Sequence, residues 1–409
     1  MSFSKLTIRD VPVHDKVVLV RADYNVPLTP DGGISDDLRI RASVPTLEYL
    51  REQGCIVVVM SHLGRPDGEV KPEFSLEPVA TRLSELLTVE VTFIDACYGD
   101  KVSQAVRSAR PGDVILLENV RFHPEEEEND LAFAEKIAKS SRARYFVQDG
   151  FGVVHRAHAS TEAITHFLPG VAGLLLEREE RTITHAMEDP DRPLYAVMGG
   201  VKVSDKIKVI EAFVHVADRI FIGGAMANTF LAYKGYPVGK SKVEDGQTET
   251  LDSIYAAVRA KVGDDKADEF LVLPVDVAVA RELTPSEPRR NEKIDAIKLD
   301  EIAADIGDLS IEKFTTQLQK AGTVVWNGTM GLAELPEFAH GSARIAMTLA
   351  TTPGITSIIG GGDTADFVLK WDGGTGESFT HVSTGGGASL DLMAGKLLPG
   401  VEALLEAKK

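Results

Sequence analysis

Arg21, Arg39, His62, Arg65, Arg121 and Arg156 all fall within the first 160 residues of this 409-residue chain, most of them in or beside loops that follow short apolar runs. The chain as a whole carries a formal charge of −18. Arginine offers a rigid fork of donors that matches phosphate and carboxylate. Cations gathered against the prevailing charge therefore point to a polyanionic small molecule. Four motifs carry them. R-A-D-Y-N-V-P (Arg21 to Pro27) follows an apolar run at 17–20, and Asp23 and Asn25 there can accept hydrogen bonds from a sugar-acid hydroxyl. Arg21 can instead hold the loop through a salt bridge. S-H-L-G-R-P (Ser61 to Pro66) brings His62 and Arg65, with Gly64 permitting close backbone approach. E-N-V-R-F-H-P (Glu118 to Pro124) brings Arg121, and D-G-F-G-V-V-H-R (Asp149 to Arg156) brings Arg156.

The second half is rich in glycine rather than arginine. G-G-V-K-V-S-D-K-I (Gly199 to Ile207) places Lys202 and Lys206 about a helix start, with Ser204 as the expected N-cap. Lysines there oppose the helix macrodipole, a placement that makes sense with an anion between them. G-G-A-M-A-N (Gly223 to Asn228), W-N-G-T-M-G-L-A-E (Trp326 to Glu334), G-G-G-D-T (Gly360 to Thr364) and S-T-G-G-G-A-S (Ser383 to Ser389) repeat a strand–glycine–helix junction. Such junctions expose backbone N–H groups suited to phosphates; the backbone of Gly360, Gly361 and Gly362, and of Gly385, Gly386 and Gly387, is expected to serve so. Asp363 adds a carboxylate, which suggests Mg²⁺ held jointly by protein and nucleotide.

Other patterns carry less. The dinucleotide fingerprint G-x-G-x-x-G is absent. G-Y-P-V-G-K-S (Gly235 to Ser241) is one residue short of a Walker A loop and follows a helical stretch, so it is read as a surface turn. His155 and His158 lack a third ligand of suitable spacing, and no metal pair is assigned to them. The run Glu125 to Glu128 is read as a solvated face. Cys55 and Cys97 belong to no ligand pair and are read as reduced, partly buried residues.

The elements that must position these residues are short β-branched runs alternating with helical stretches. Strands are expected near 17–20, 56–60, 91–94, 114–117 and 145–147. A second set is expected near 194–197, 220–222, 271–273, 324–326, 357–359 and 380–383. Continuous apolar runs of this length suit parallel strands buried on both faces. The alternation, twice over, implies two Rossmann-like, doubly wound α/β domains. Ile40, Val44, Leu47 and Leu50 share one helical face, which Pro45 is expected to bend. Ile207, Ile210, Val214 and Ala217 share another. The expected division is an N-terminal domain over 1–172, a connecting helix and hinge over 173–192, a C-terminal domain over 193–387, and a terminal helical segment over 388–409.

Composition narrows the class. A hydrophobic content of 44% with 26% charged residues describes a globular protein, and no apolar run approaches a membrane span. The opening residues lack a secretory pattern, so a cytoplasmic setting is expected. The acidic balance argues against nucleic acid, which demands a basic face. No exposed apolar helix face stands out, and a monomer is expected.

Taken in order, S-H-L-G-R-P, E-N-V-R-F-H-P, K-V-S-D-K-I, W-N-G-x-M-G, G-G-G-D-T and S-T-G-G-G-A-S make the chain resemble the phosphoglycerate kinase family over nearly its whole length. The resemblance implies two Rossmann-like domains joined by a hinge helix, with the C-terminal segment returning to the N-domain. It implies that Asp23, Asn25, Arg39, His62, Arg65, Arg121 and Arg156 bind 3-phosphoglycerate, with Arg39 also facing the phosphoryl group in flight. Lys202 would neutralise that group and Lys206 would grip the nucleotide phosphates. Asp363 would ligate Mg²⁺, Glu334 would bind the ribose, and Asn327 and Thr364 would contact nucleotide phosphate. The chain departs from the family pattern at Gln148 and Gly150 (usually Asn and Ala), Val201 (usually Ala) and Thr329 (usually Pro), which leaves nucleotide preference open.

The expected reaction is reversible, Mg-dependent phosphoryl transfer between 1,3-bisphosphoglycerate and ADP. The acid's carboxylate is itself the nucleophile toward ATP, so catalysis reduces to positioning and charge neutralisation, with domain closure and an open apo form. Two other readings compete: a dehydrogenase on twin nucleotide-binding folds, against which the missing fingerprint argues, and a non-catalytic anion or nucleotide binder, against which the retained Arg39, Lys202 and Asp363 argue.

Overall fold

The computed structural model describes residues 3–284 and 287–407. Two compact units divide the chain: 1–181 with 396–409, and 182–395. The division falls inside one helix, Leu174–Glu188.

The first unit is built on a six-stranded sheet of β1 (Val17–Arg21), β2 (Ile56–Met60), β3 (Val91–Ile94), β4 (Val114–Leu117), β5 (Tyr145–Gln148) and β6 (Gly170–Ala172). The order is β3-β4-β2-β1-β5-β6, and every pair is parallel. Val18, Val20, Val57, Val59, Val114 and Leu116 enter a core closed by Ile40, Leu47, Leu50, Val79 and Leu83 from two helices. In a wholly parallel sheet all the loops after the strands leave from one edge, so the four arginine-bearing motifs are delivered together by topology alone. The Leu38–Glu52 helix continues through Pro45 as one element.

The second unit repeats the plan with β7 (Leu194–Met198), β8 (Arg219–Ile222), β9 (Leu271–Val272), β13 (Thr323–Asn327), β14 (Thr356–Gly360) and β15 (His381–Val382). Their order is β15-β14-β13-β7-β8-β9, again all parallel. Phe221, Phe314 and Trp326 fill its core.

Two elements escape the apolar-run reading. β6 is only three residues long and begins with glycine. An antiparallel sheet of β10 (Asp276–Ala280), β11 (Arg290–Lys293) and β12 (Ile302–Ile306), in the order β11-β10-β12, is absent from the expected strands. β11 reads Arg-Asn-Glu-Lys and is held by its ladder, not by burial.

The terminal stretch 388–409 does not act as one segment. Helix Gly387–Met393 packs on the Ile207–Val216 helix within the second unit, and only 396–409 belongs to the first. There Leu405 accepts from Leu6 and donates to Gly170, at 2.8 and 2.9 Å. The helical stretch is interrupted after Gly387–Met393 and resumes as a short helix that Pro399 starts, Pro399–Glu402. Cys55 and Cys97 are free thiols, both buried.

Candidate active site

In the first unit the four loops are tied edge to edge. The Tyr24 amide donates to Ser61 Oγ (2.8 Å), and the Gly64 amide to Asn25 Oδ1 (2.8 Å). Asn119 Nδ2 donates to the Leu63 carbonyl (2.7 Å), and the Asp149 amide to the Arg21 carbonyl (2.9 Å). The approach is close at Gly150, where a Cβ would stand 3.1 Å from the Ala22 carbonyl carbon and 3.2 Å from the Asp23 nitrogen, a tight fit that a small shift would accommodate.

Arg39, in the first turn of its helix, donates to the Asn25 carbonyl at 2.5 Å and lies 3.8 Å from Asp23 Oδ1. His62 is buried, with Nδ1 3.9 Å from the same Asp23 oxygen and 3.3 Å from an Arg21 guanidinium nitrogen. A guanidinium can only donate, so Nδ1 accepts and the ring proton sits on Nε2. Burial, reinforced by Arg21, Arg121 and Arg39, holds the imidazole well below its ordinary pKa, so His62 is neutral.

Arg121 donates to the Gly64 carbonyl (2.9 Å), and its Nε stands 3.2 Å from Glu127. Burial and the neighbouring Arg21 lower its pKa. Arg65, Arg121 and Arg156 line a cavity of about 550 Å³, together with His123, Glu127 and Glu128. The residues singled out in the sequence thus form two groups linked at Gly64: three arginines around the cavity, and Asp23, Asn25, Arg39 and His62 interlocked with one another.

Arg21 has a different job. It is wholly buried, donates to Ser160 Oγ (2.6 Å) and stands 3.8 Å from Glu126, which in turn accepts from Ser160 Oγ (2.6 Å) and from its amide (2.9 Å). The reading of Glu125 to Glu128 as a solvated face is therefore corrected at Glu126, which is fully buried as the counter-ion of Arg21. A lone arginine ending a buried strand was the available signal that an acid had to be near.

In the second unit the glycine motifs pack backbone against backbone. A Cβ on Gly199 would meet the Thr329 carbonyl oxygen at 2.2 Å, and one on Gly328 the Gly199 carbonyl carbon at 2.3 Å. Lys206 lies between these loops, its Nζ donating to the carbonyls of Gly199 (2.7 Å) and Asn327 (3.1 Å). Burial lowers its pKa to about 8, against the opposing pull of Asp363 and Asp205. Ser204 is not the N-cap: the helix starts at Ile207, Lys206 holds the N-cap position without a side-chain cap bond, and the Ser204 amide and hydroxyl both go to Glu244. Lys202 is exposed.

Helix Gly362–Trp371 opens on Gly361, whose φ of +87° is a glycine conformation. Asn327 Nδ2 lies against this start, 3.0 Å from where a Gly361 Cβ would be, and it is buried without a partner. Thr364 accepts from the Gly328 amide (2.6 Å), which joins the two motifs. Gly385 donates to Ser383 Oγ (3.1 Å), so of the three glycines there only Gly386 and Gly387 keep amides for a ligand. The Walker-like turn has spent its amides on Glu301 and Val238.

A second cavity, about 320 Å³, is lined by Gly200, Val201, Thr329, Glu334 and Asp363. Leu283, Ile302, Ala303, Leu332 and Phe367 give it apolar walls, mostly from segments the motifs did not flag. Two of the four departures, Val201 and Thr329, sit on this cavity. Among the described residues no group of three or more His, Cys, Asp or Glu could hold a metal by itself. The single exposed carboxylate of Asp363, beside amides suited to phosphate, fits an ion shared with nucleotide oxygens, the manner in which Mg²⁺ is usually held.

Comparison with known proteins agrees with this geometry. The family model "Phosphoglycerate kinase" matches residues 8–396. A phosphoglycerate kinase of Pelotomaculum thermopropionicum is 47% identical over 403 residues, covering 98% of this chain and 100% of its own length. One from Moorella thermoacetica is 46% identical with the same coverage. The structure of phosphoglycerate kinase from Coxiella burnetii superposes with a TM-score of 0.83 at 36% identity, covering 98% of both chains. With the family matched over almost its whole length and the fold shared, the chain belongs to the phosphoglycerate kinase family and is a phosphotransferase of that type.

Proposed function

We propose that the protein catalyses reversible, Mg-dependent phosphoryl transfer between 1,3-bisphosphoglycerate and ADP, giving 3-phosphoglycerate and ATP. The sugar acid binds the first unit and the nucleotide the second. Arg65, Arg121 and Arg156 take the phosphate in the 550 Å³ cavity. Asp23, Asn25 and neutral His62 orient the acid, and Arg39 faces its carboxylate. Lys206, the orphan amide of Asn327, the Thr364 hydroxyl and the glycine amides hold the nucleotide phosphates. Glu334 takes the ribose. Lys202, exposed and free to move, neutralises the group in flight. Mg²⁺, held by Asp363 and the nucleotide, supplies charge neutralisation of the phosphates. No side chain need act as nucleophile, because the acid's own carboxylate attacks in line.

The observation that carries this reading is the buried, partnerless Asn327 Nδ2 beside Lys206 and the Gly361 helix start. The Asn327 amide is a buried donor with no acceptor in the fold, set next to a cation and a glycine-led helix start. In-line transfer needs reacting atoms about 3–3.5 Å apart, so the reaction requires closure of the two units on their ligands. A monomer in the cytoplasm completes the proposal, with small-molecule partners only.

A coupled assay with ATP, Mg²⁺ and 3-phosphoglycerate tests it. Acyl phosphate formation that stops on chelation is expected. No turnover with any nucleoside triphosphate would reduce the protein to a ligand binder.

A further inference from the structure

The apolar end of the 320 Å³ cavity carries one feature that phosphate binding does not use. Lys242 lines it. Its backbone is fixed to the cavity wall: Asn228, itself buried, donates through Nδ2 to the carbonyls of Lys242 (3.4 Å) and Ala303 (3.2 Å), while Ser241 Oγ accepts from the Ala303 amide (2.8 Å). Ile302 and Ala303 of β12, with Leu283, form the apolar surface at this place. The Lys242 ammonium is exposed, and among the described residues it has no hydrogen bond or ion pair. Of the cavity's acidic residues, Asp363 and Asp366 stand on the Gly362–Trp371 helix, and Glu334 is the residue assigned above to the ribose.

We infer that Lys242 is a specificity-determining residue that reads the base of the donor nucleotide, favouring a purine with a 6-keto oxygen over adenine. The inference rests on reading this cavity as the donor-nucleotide site. An ammonium has three donors and no acceptor. Guanine and hypoxanthine present adjacent acceptors, O6 and N7, to which lysine bonds well, whereas adenine replaces O6 with an amine, itself a donor. The apolar walls suit any purine alike. Only the edge is discriminated, and Lys242 is the cation placed among these apolar walls; Lys370, the cavity's other lysine, stands on the Gly362–Trp371 helix with Asp363 and Asp366. The site is partly open to water, so the selectivity belongs at the low end of what such contacts give, roughly 5- to 10-fold.

The test is kcat/KM for GTP, ITP and ATP with saturating 3-phosphoglycerate and Mg²⁺, in the intact protein and in Lys242→Met and Lys242→Glu. The GTP/ATP and ITP/ATP ratios are expected to fall by about 5- to 10-fold in Lys242→Met and to fall further in Lys242→Glu, whose carboxylate accepts from the adenine amine. ITP separates the keto oxygen from the 2-amino group, and it should track GTP. Dissociation constants for GDP and ADP should shift in the same sense. Ratios that are unchanged in both variants overturn the inference while leaving the kinase reading intact. Absence of turnover with all three nucleotides, together with no binding of GDP or ADP, overturns both.

Discussion

At the scale of single residues, the two lysines of K-V-S-D-K-I differ in their physics. Lys202 is exposed, and in the proposed mechanism it meets the phosphoryl group only when the ligands are together. Arg39 is pinned by the Asn25 carbonyl, and in the proposed mechanism its remaining donors face the same group. Removing a donor that acts mainly on developing charge costs on the order of 10²–10³ in turnover. Lys202→Ala and Arg39→Ala should each lower kcat by about that much with a modest change in nucleotide affinity, as steady-state kinetics and equilibrium titration would show; near-normal turnover would remove the assigned role.

Lys206 is buried, with its pKa lowered to about 8. It is charged below that pH and progressively neutral above it. Bound polyphosphate favours the charged form, so binding near pH 8 must draw in protons, and affinity must fall as pH rises through 8. Calorimetry of nucleotide binding in buffers of different ionisation enthalpy should reveal this uptake. Lys206→Arg, whose group stays charged, should abolish it.

At the scale of elements, both sites are built by cross-links between loops. The Arg21–Glu126–Ser160 network joins the end of β1 to the segments after β4 and β5, entirely out of water. Glu126→Gln would leave a buried guanidinium without its counter-charge, a defect worth about 3–5 kcal/mol. Urea unfolding of the variant should show a loss of that order, with substrate affinity falling because the arginine loops lose their anchor.

In the second unit the corresponding device is steric. Gly199→Ala places a Cβ 2.2 Å from a backbone oxygen that cannot swing away. Overpacking of this kind costs about 1–3 kcal/mol. The variant should melt earlier and bind ADP more weakly, since the displaced loop carries the carbonyl that positions Lys206. Unaltered affinity would show that the loop contact is merely structural.

At the scale of the molecule, the proposed function assigns the substrates to different units, and transfer over about 3–3.5 Å would demand that both be brought to one place. Solution scattering should therefore show a smaller radius of gyration with 3-phosphoglycerate and Mg-nucleotide together than with either alone. Equal dimensions in all states would remove closure from the mechanism.

Much of this was legible in the chain. Buried parallel strands appear as uninterrupted apolar runs, and parallel topology sends every following loop to one edge, so Arg65, Arg121 and Arg156 could be grouped before any coordinates. The strands that stayed hidden are those whose order comes from partners: β11 has no apolar residue, and β6 is held between β5 and the chain ends. Ser204 looked like a cap by type, but a distant carboxylate, Glu244, claimed it. Sequence alone determined which chemistry is present, because side-chain type and the local strand-to-loop pattern are near-neighbour properties. Only the tertiary structure decided that Arg21 faces Glu126 in the core, that His62 is neutral, that burial lowers the Lys206 pKa to about 8, and that Lys242 borders the 320 Å³ cavity. Burial and long-range partners set charge state and orientation, and those partners lie tens to more than a hundred residues away along the chain.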